Sequence, residues 1–172
     1  GNFERFESAY LTEFPGYYST GDGGYIDEDG YVFIMGRTDD VINIAGHRLS
    51  TGEMEEVVAQ HPAVAECAVI GVKDSLKGQL PVGMVILKDG QDITDAELHQ
   101  DIKKALVANI GPIACFKDTL IVPRLPKTRS GKILRKILRN MADGQAYTVP
   151  STIDDPACLD EMHGLMQSRN WI

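Results

Sequence analysis

The chain has 172 residues, a formal net charge of −8 and 43% apolar residues. It is long enough for one sizeable domain, or a small domain joined to a fragment of another. The acidic balance argues against a protein that coats nucleic acid non-specifically. The sequence contains no run of eighteen apolar residues, the length that a membrane-spanning helix needs. The three cysteines are far apart and the four histidines lack metal spacing, so we expect a reducing compartment and no metal held by this chain.

The first eighteen residues, which start at Gly1 without a Met, are expected to be irregular chain from a larger protein. Residues 25–36 then predict a β-hairpin, with Gly30 in the left-handed region at its turn. From 40 to 142 helices and strands alternate, which predicts an α/β (α+β) domain with a central three-stranded sheet flanked by helices. The boundary is expected between Arg37 and Val41.

Capping boxes predict the starts of two helices in this domain, one at Ser50 with Glu53 and one at Thr94 with Glu97. The predicted strands are 64–72, 82–88 and 118–123. A further helix is expected from about Lys132 to Met141, and a possible last helix from Pro156.

One segment, "RLPKTRSGKILRKILR" at 124–139, holds seven of the seventeen Lys and Arg residues and no acid. Its last three cations, from Arg135 onward, are typical of a solvated helix face. Lys132 is expected in the first helical turn, where the dipole repels a cation. Behind Gly131 it is predicted to deliver an ammonium to a phosphate or carboxylate. Ile133 and a missing glycine exclude a Walker A loop.

Three other stretches leave two interpretations open. Asp22, at the end of "YYSTGD", suits either a turn or a carboxylate that binds paired hydroxyls such as those of a ribose. Arg37 in "GRTDD" is either a surface ion-pair partner or a ligand contact. Gly46, two residues before Arg48, is either a turn residue or a point where the backbone approaches a ligand closely.

Together, "YYSTGD", "GRTDDVINIAGHRLS", the "KGQ" loop and "PKTRSGK" resemble, in order and separation, the adenylate-forming acyl-CoA synthetases. The resemblance spans roughly residues 15–160 and is strongest to the members that activate acetate or propionate. "STIDDP" in the tail is more similar to propionyl-CoA synthetases. The resemblance implies that 1–38 trails a large N-terminal domain, 39–145 is a small mobile C-terminal domain, and 146–172 is a tail.

By this resemblance the substrates are a short-chain carboxylate, ATP with Mg²⁺, and CoA. Lys132 matches the lysine that orients the carboxylate and ATP for adenylation, and that is a target of acetylation. Asp22 and Arg37 match residues that bind the ribose, and Arg48 matches an arginine near the nucleotide phosphates and CoA. The remaining matches are Gly46, beside the pantetheine tunnel, and Asp39, at the hinge about which the domain turns.

The resemblance further implies a partner in the protein's own N-terminal domain, and a cytoplasmic or mitochondrial matrix location. The isolated fragment is expected to be inactive, because the phosphate-binding loop and acyl pocket lie upstream. Val107 stands near a position where related enzymes use a basic residue to hold CoA. Two alternatives stay open: an adenylation module that loads a carrier protein, and a non-catalytic module that binds polyanions through 124–139.

Overall fold

The computed structural model describes residues 3–172, apart from the side chains of Arg5, Ser8, Ala9, Met35 and Asp39. The chain divides into two compact units, Gly1–Asp39 and Asp40–Ile172. The division lies within the interval from Arg37 to Val41.

The first unit contains helix α1 (Phe3–Tyr10) followed by an antiparallel pair, β1 (Asp22–Ile26) and β2 (Val32–Arg37). The expectation of irregular chain before the hairpin is therefore wrong. Aromatic residues at helical spacing explain the helix, because the rings of Phe6 and Tyr10 lie 5.4 Å apart.

The predicted hairpin is confirmed, and its turn is held by one carboxylate. Asp27 Oδ1 accepts the amides of Asp29 at 3.0 Å and Tyr31 at 2.8 Å. Gly30 has a φ of +87°, the conformation that the sequence predicts for it. The close of the turn aligns Asp22 at the start of β1 with Arg37 at the end of β2.

The second unit has helices on both faces of a sheet. Its strands are β3 (Val41–Ile44), β4 (His47–Ser50), β5 (Val64–Asp74), β6 (Gly78–Leu87) and β7 (Asp118–Ile121). Its helices are α2 (Thr51–Ala59), α3 (Asp95–Asn109), α4 (Arg135–Ala142) and α5 (Ala157–Ser168).

Strand β6 is the centre of the sheet. It pairs antiparallel with β5 along its whole length, parallel with β7, and with β3 at a single position, Ile44 opposite Gly78. The three predicted strands are therefore β5, β6 and β7, and the β3–β4 hairpin brings the sheet to five strands within the described residues. Sequence pattern missed this hairpin because its strands have only four residues each.

Side chains of successive residues along β5 enter two separate cores, as the period of a strand requires. Ala68, Ile70 and Val72 pack with α4 and α5, whereas Cys67 and Val69 pack with α2 and α3. Burial on both sides accounts for the nearly continuous apolar run of this strand.

The two predicted capping boxes differ in the structure. At α3 both hydrogen bonds of the box form between Thr94 and Glu97. At α2 the Ser50 side chain accepts the amide of Glu53 at 3.4 Å, but the reciprocal bond from Glu53 is absent. Ser50 also ends β4, opposite Val41, so strand pairing constrains its backbone.

Candidate functional site

Asp22 and Arg37 face each other across the first hairpin. They are partners in the β1–β2 ladder, and Arg37 Nη1 lies 3.9 Å from Asp22 Oδ1. The same nitrogen donates to the carbonyl of Thr20 at 3.0 Å, and the amide of Asp22 donates to Thr20 Oγ1 at 3.2 Å. The pair presents a partly exposed carboxylate beside a guanidinium, an arrangement that can bind two neighbouring hydroxyls.

Gly21 makes this pair possible. Its φ is +73°, and a Cβ at this position would lie 2.9 Å from Arg37 Nη2. The carbonyl of Gly21 accepts both the amide and the hydroxyl of Thr38, at 2.8 Å and 3.0 Å. A side chain here would strain the backbone and displace the arginine.

Gly46 occupies the two-residue turn between β3 and β4. Ala45 and Gly46 have φ values of +50° and +90°, the positive pair that tight hairpins prefer. The Gly46 amide donates to Asn43 Oδ1 at 3.1 Å, and the Ala45 amide donates to the carbonyl of Lys77 at 2.8 Å. A Cβ on Gly46 would meet no atom within 4 Å, so the space beside it is open.

Arg48 lies on β4 opposite Asn43, in the same hairpin as Gly46. It is exposed. The hairpin is tied to the start of β6 by Gln79, whose Oε1 accepts the Asn43 amide at 2.7 Å. Gln79 is the last residue of "KGQ", which the sequence predicts as a loop but whose Gly78 and Gln79 lie in β6; the contact joins two of the motifs that the sequence singled out.

Lys132 lies in a loop and not in a helical turn. Helix α4 starts at Arg135, three residues later than expected, so the prediction that Lys132 sits in the first turn is wrong. The reason is a small hairpin that occupies the backbone before the helix. The Thr128 amide donates to the carbonyl of Lys132 at 2.9 Å, and Lys127 pairs with Ile133 in an isolated bridge.

The ammonium of Lys132 is exposed and makes no hydrogen bond or ion pair with any residue that the structure describes. Gly131, with a φ of +84°, allows the reversal that precedes it, as the sequence predicts. The loop therefore presents a free cation from an ordered backbone, which suits an anionic ligand.

Two other cations of the 124–139 segment, Arg124 and Lys127, are paired with acids. Lys127 Nζ lies 2.6 Å from Glu66 Oε2. Arg124 donates to Asp155 at 2.5 Å and to Glu161 at 2.7 Å. These bonds hold the pKa of both carboxyl groups below their ordinary values.

Arg135 is also paired, and its prediction as part of a solvated face is wrong. It donates to both oxygens of Glu55, from Nε at 2.8 Å and from Nη2 at 2.6 Å. The two side chains are 25% and 15% exposed. The hydrogen bonds with Glu55 raise the pKa of Arg135 despite its burial, so the guanidinium stays charged.

Sequence reasoning named Lys132 but missed Thr128, which accepts its amide, and Glu55, which binds the first residue of the helix that follows. Glu55 lies far from the loop in sequence, on the same face of α2 as the buried Thr51 and Val58. The hydroxyl of Thr128 carried no signal in one sequence. The side chain of Asp39 lies outside the described part of the chain, so its predicted hinge role has no geometry here.

Among the described residues, no group of three His, Cys, Asp or Glu side chains could hold a metal ion. No helix in the described part of the chain has the length and apolarity to cross a membrane. Its three cysteines are free thiols. Burial raises the pKa of Cys67 to about 12.

Comparisons with known proteins agree on one family. Residues 53–132 match the model described as the AMP-binding enzyme C-terminal domain. An uncharacterized protein of Pseudomonas aeruginosa is 60% identical over 98% of this chain and 27% of its own length. A mitochondrial protein of Dictyostelium discoideum, named acyl-CoA synthetase short-chain family member B, is 53% identical over 94% of this chain and 23% of its own.

Two solved structures share the fold. Acetoacetyl-CoA synthetase from Streptomyces lividans has a TM-score of 0.78 at 26% identity, covering 96% of this chain and 25% of that one. ATP-bound MatB from Rhodopseudomonas palustris has a TM-score of 0.63 at 30% identity, covering 80% of this chain and 26% of that one. The chain thus spans about a quarter of the length of the proteins it matches.

Proposed function

This chain carries an AMP-binding enzyme C-terminal domain, and from that premise we propose that it is the C-terminal part of an AMP-forming short-chain acyl-CoA synthetase. In the first step a carboxylate oxygen attacks the α-phosphorus of ATP, and pyrophosphate leaves. In the second, the CoA sulfur attacks the acyl carbon of the acyl-adenylate, its proton is lost, and AMP leaves. The observation that carries the proposal is the unpaired ammonium of Lys132 on its closed loop.

Lys132 acts in the first step. The attacking carboxylate and the α-phosphate are both anionic, and a cation between them lowers the cost of bringing them together. A positioned cation in a closed site is commonly worth about 3–4 kcal/mol in the barrier. Because the ammonium makes no ion pair with a described residue, no such bond has to be broken before it can contact the substrates. Acetylation would remove the positive charge, so the proposal includes a lysine acetyltransferase and deacetylase that act on Lys132.

Asp22 and Arg37 bind the ribose of the nucleotide in this proposal. The carboxylate accepts hydrogen bonds from both ribose hydroxyls, and the neighbouring guanidinium, already held by Thr20, donates to a ribose oxygen. Their pairing in one ladder fixes the spacing of acceptor and donor before the nucleotide arrives.

Gly46 and Arg48 serve the CoA side. The open space beside Gly46 leaves room for the pantetheine arm, and the exposed guanidinium of Arg48 suits phosphate oxygens. The domain turns at Asp39 against the protein's own N-terminal domain, so that a different surface meets the active site in each step. Val107 is exposed and, being apolar, supplies no cation for the CoA contact that a basic residue near this position makes in related enzymes.

Mg²⁺ enters with ATP in this proposal and is not held by the described residues, so no step is assigned to it. Acetate and propionate are the proposed acids. The cytoplasm and the mitochondrial matrix are the proposed locations, and the name of the Dictyostelium relative supports the second.

The test uses the full-length protein that contains this chain, supplied with ATP, Mg²⁺, CoA and either acetate or propionate. Nucleotide and thioester products are identified by mass spectrometry. We expect AMP, pyrophosphate and the acyl-CoA in equal amounts. Formation of ADP, or acyl transfer only to an added phosphopantetheine carrier protein, contradicts the proposal. The polyanion alternative predicts a gel shift of single-stranded RNA at low salt; the pairing of Arg124, Lys127 and Arg135 with acids reduces the charge that this segment could offer to RNA.

A further inference from the structure

Thr128 lies at the base of the Lys132 loop and contacts it with both its backbone and its side chain. Its Oγ1 accepts the amide of Lys132 at 3.1 Å. Its own amide donates to the carbonyl of Lys132 at 2.9 Å, and its carbonyl accepts the amide of Gly131 at 2.8 Å. The hydroxyl also lies 2.9 Å from Ser130 Oγ.

The loop holds Lys132 through its backbone and not through a contact to its side chain. Lys132 Nζ has no described partner, so only the backbone determines where the side chain starts and which way it points. The residue before it, Gly131, is the one with the widest conformational freedom. Without the bond to Thr128 Oγ1, the Lys132 amide would lose its acceptor, and the bond from the Thr128 amide to the Lys132 carbonyl would hold this residue's backbone from one side only.

Thr128 is itself fixed by the tail of the chain. It pairs with Ile153 in an isolated β-bridge, and Ile153 is buried at 5% exposure. On either side, the Arg129 amide donates to the carbonyl of Thr152 and the Asp154 amide donates to the carbonyl of Lys127, both at 2.9 Å. Backbone bonds to residues 152–154 therefore fix the position of Thr128, and with it the hydroxyl that accepts the Lys132 amide.

We propose that Thr128 is a positioning residue for the adenylation step, acting through Lys132. This rests on the function proposed above. The hydroxyl does not touch substrate; it holds the backbone from which Lys132 reaches the carboxylate and the α-phosphate. Positioning of this kind matters because a misplacement of about 1 Å can cost about a hundredfold in rate.

The test measures two half-reactions of the full-length protein separately: acid-dependent ATP–pyrophosphate exchange, and thioester formation from premade propionyl-AMP and CoA. Thr128→Val removes the hydroxyl and keeps the β-branched shape, whereas Thr128→Ser keeps the hydroxyl. Thr148→Val is the matched control, because Thr148 is an exposed threonine. Lys132→Ala is the reference for complete loss.

For Thr128→Val we expect kcat of the exchange reaction to fall about tenfold, as loss of one positioning hydrogen bond predicts. The KM for ATP and the thioester half-reaction should stay within about twofold of wild type, because the lysine acts in the first step only. Thr128→Ser should restore exchange, and Thr148→Val should match wild type.

Three results overturn the inference. Exchange at the wild-type rate in Thr128→Val shows that the hydroxyl does not position the lysine. An equal fall in both half-reactions, with no rescue by serine, shows a role in folding alone. Thr128→Ala is measured beside the valine variant, so that poor folding of one still leaves a test, and wild-type exchange in either variant decides against the inference.

Lys132→Ala separates this inference from the proposed function. If that variant keeps full exchange, the role of Lys132 fails, and the role of Thr128 fails with it. If Lys132→Ala loses exchange and Thr128→Val does not, the inference alone is wrong.

Discussion

Replacement of Glu55 by alanine tests what holds α4, the helix that follows the Lys132 loop. Glu55 Oε1 accepts the amide of Val69 and Nε of Arg135, each at 2.8 Å, and Oε2 accepts Nη2 of Arg135 at 2.6 Å. The glutamate therefore joins α2, the edge strand β5 and α4. Its side chain is 15% exposed, so water compensates little for its loss.

The structure predicts the size of the effect. Glu55→Ala leaves a half-buried guanidinium and a strand amide without their acceptor, and we expect the free energy of unfolding to fall by about 3 kcal/mol. Glu55→Gln keeps an oxygen for Val69 but loses the charge, and should cost about 1–2 kcal/mol. Glu56→Ala, at an exposed position of the same helix, should change stability by no more than about 0.5 kcal/mol.

Urea unfolding followed by fluorescence measures these changes in the second unit. The single Trp of the chain, Trp171, donates to Asp118 Oδ2 at 2.9 Å and so reports on that unit. A double-mutant cycle with Arg135→Met isolates the ion pair, with an expected coupling of about 2 kcal/mol. A coupling below about 0.5 kcal/mol, or equal losses for Glu55→Ala and Glu56→Ala, would refute the clamp.

Three further predictions concern separate parts of the chain. Gly46→Ala should lower the free energy of unfolding by about 1 kcal/mol because of the positive φ at this position, and it should also slow thioester formation by the full-length protein. A thioester rate equal to that of the wild type would contradict the role of Gly46. Native maleimide labelling should modify the half-buried Cys115 well before Cys67, because burial raises the pKa of Cys67 to about 12; mass spectrometry of tryptic peptides decides the order. Arg124 lowers the pKa of Asp155, so the stability from this contact is present above the unfolded pKa of about 4 and is lost as pH falls through the lower folded pKa; Arg124→Met should flatten that acid dependence in Trp fluorescence.

Much of the second unit follows from local pattern. The strands β5 and β6 are long apolar runs, and the box at Thr94 supplies acceptors for the amides of Thr94 and Glu97. Such elements can be predicted because their signals lie within a few residues. The β3–β4 hairpin was harder to predict because strands of four residues are too short to show a clear alternation of apolar and polar positions. Its turn also needs a positive φ at Ala45, and alanine rarely adopts one.

The start of α4 could not be predicted for a different reason. Apolar spacing continues through Ile133 and Leu134, so periodicity alone extends the helix too far. The competing contacts come from the hairpin before the helix, in which the Thr128 amide donates to the carbonyl of Lys132 and the Leu134 amide donates to the carbonyl of Pro126, both at 2.9 Å. The candidate site shows a similar limit. Motif residues such as Lys132 can be named from sequence, but periodicity does not reveal the bond from its amide to Thr128 Oγ1 or the long-range pair of Glu55 with Arg135.

The most direct test of the account compares Lys132→Ala with Lys136→Ala in the full-length protein. Lys136 is an exposed cation four residues away, so it controls for loss of charge. The account predicts that Lys132→Ala loses ATP–pyrophosphate exchange by a factor of about a hundred or more and keeps thioester formation from propionyl-AMP, while Lys136→Ala keeps both. Equal loss of the two half-reactions in Lys132→Ala, or equal behaviour of the two variants, would contradict it.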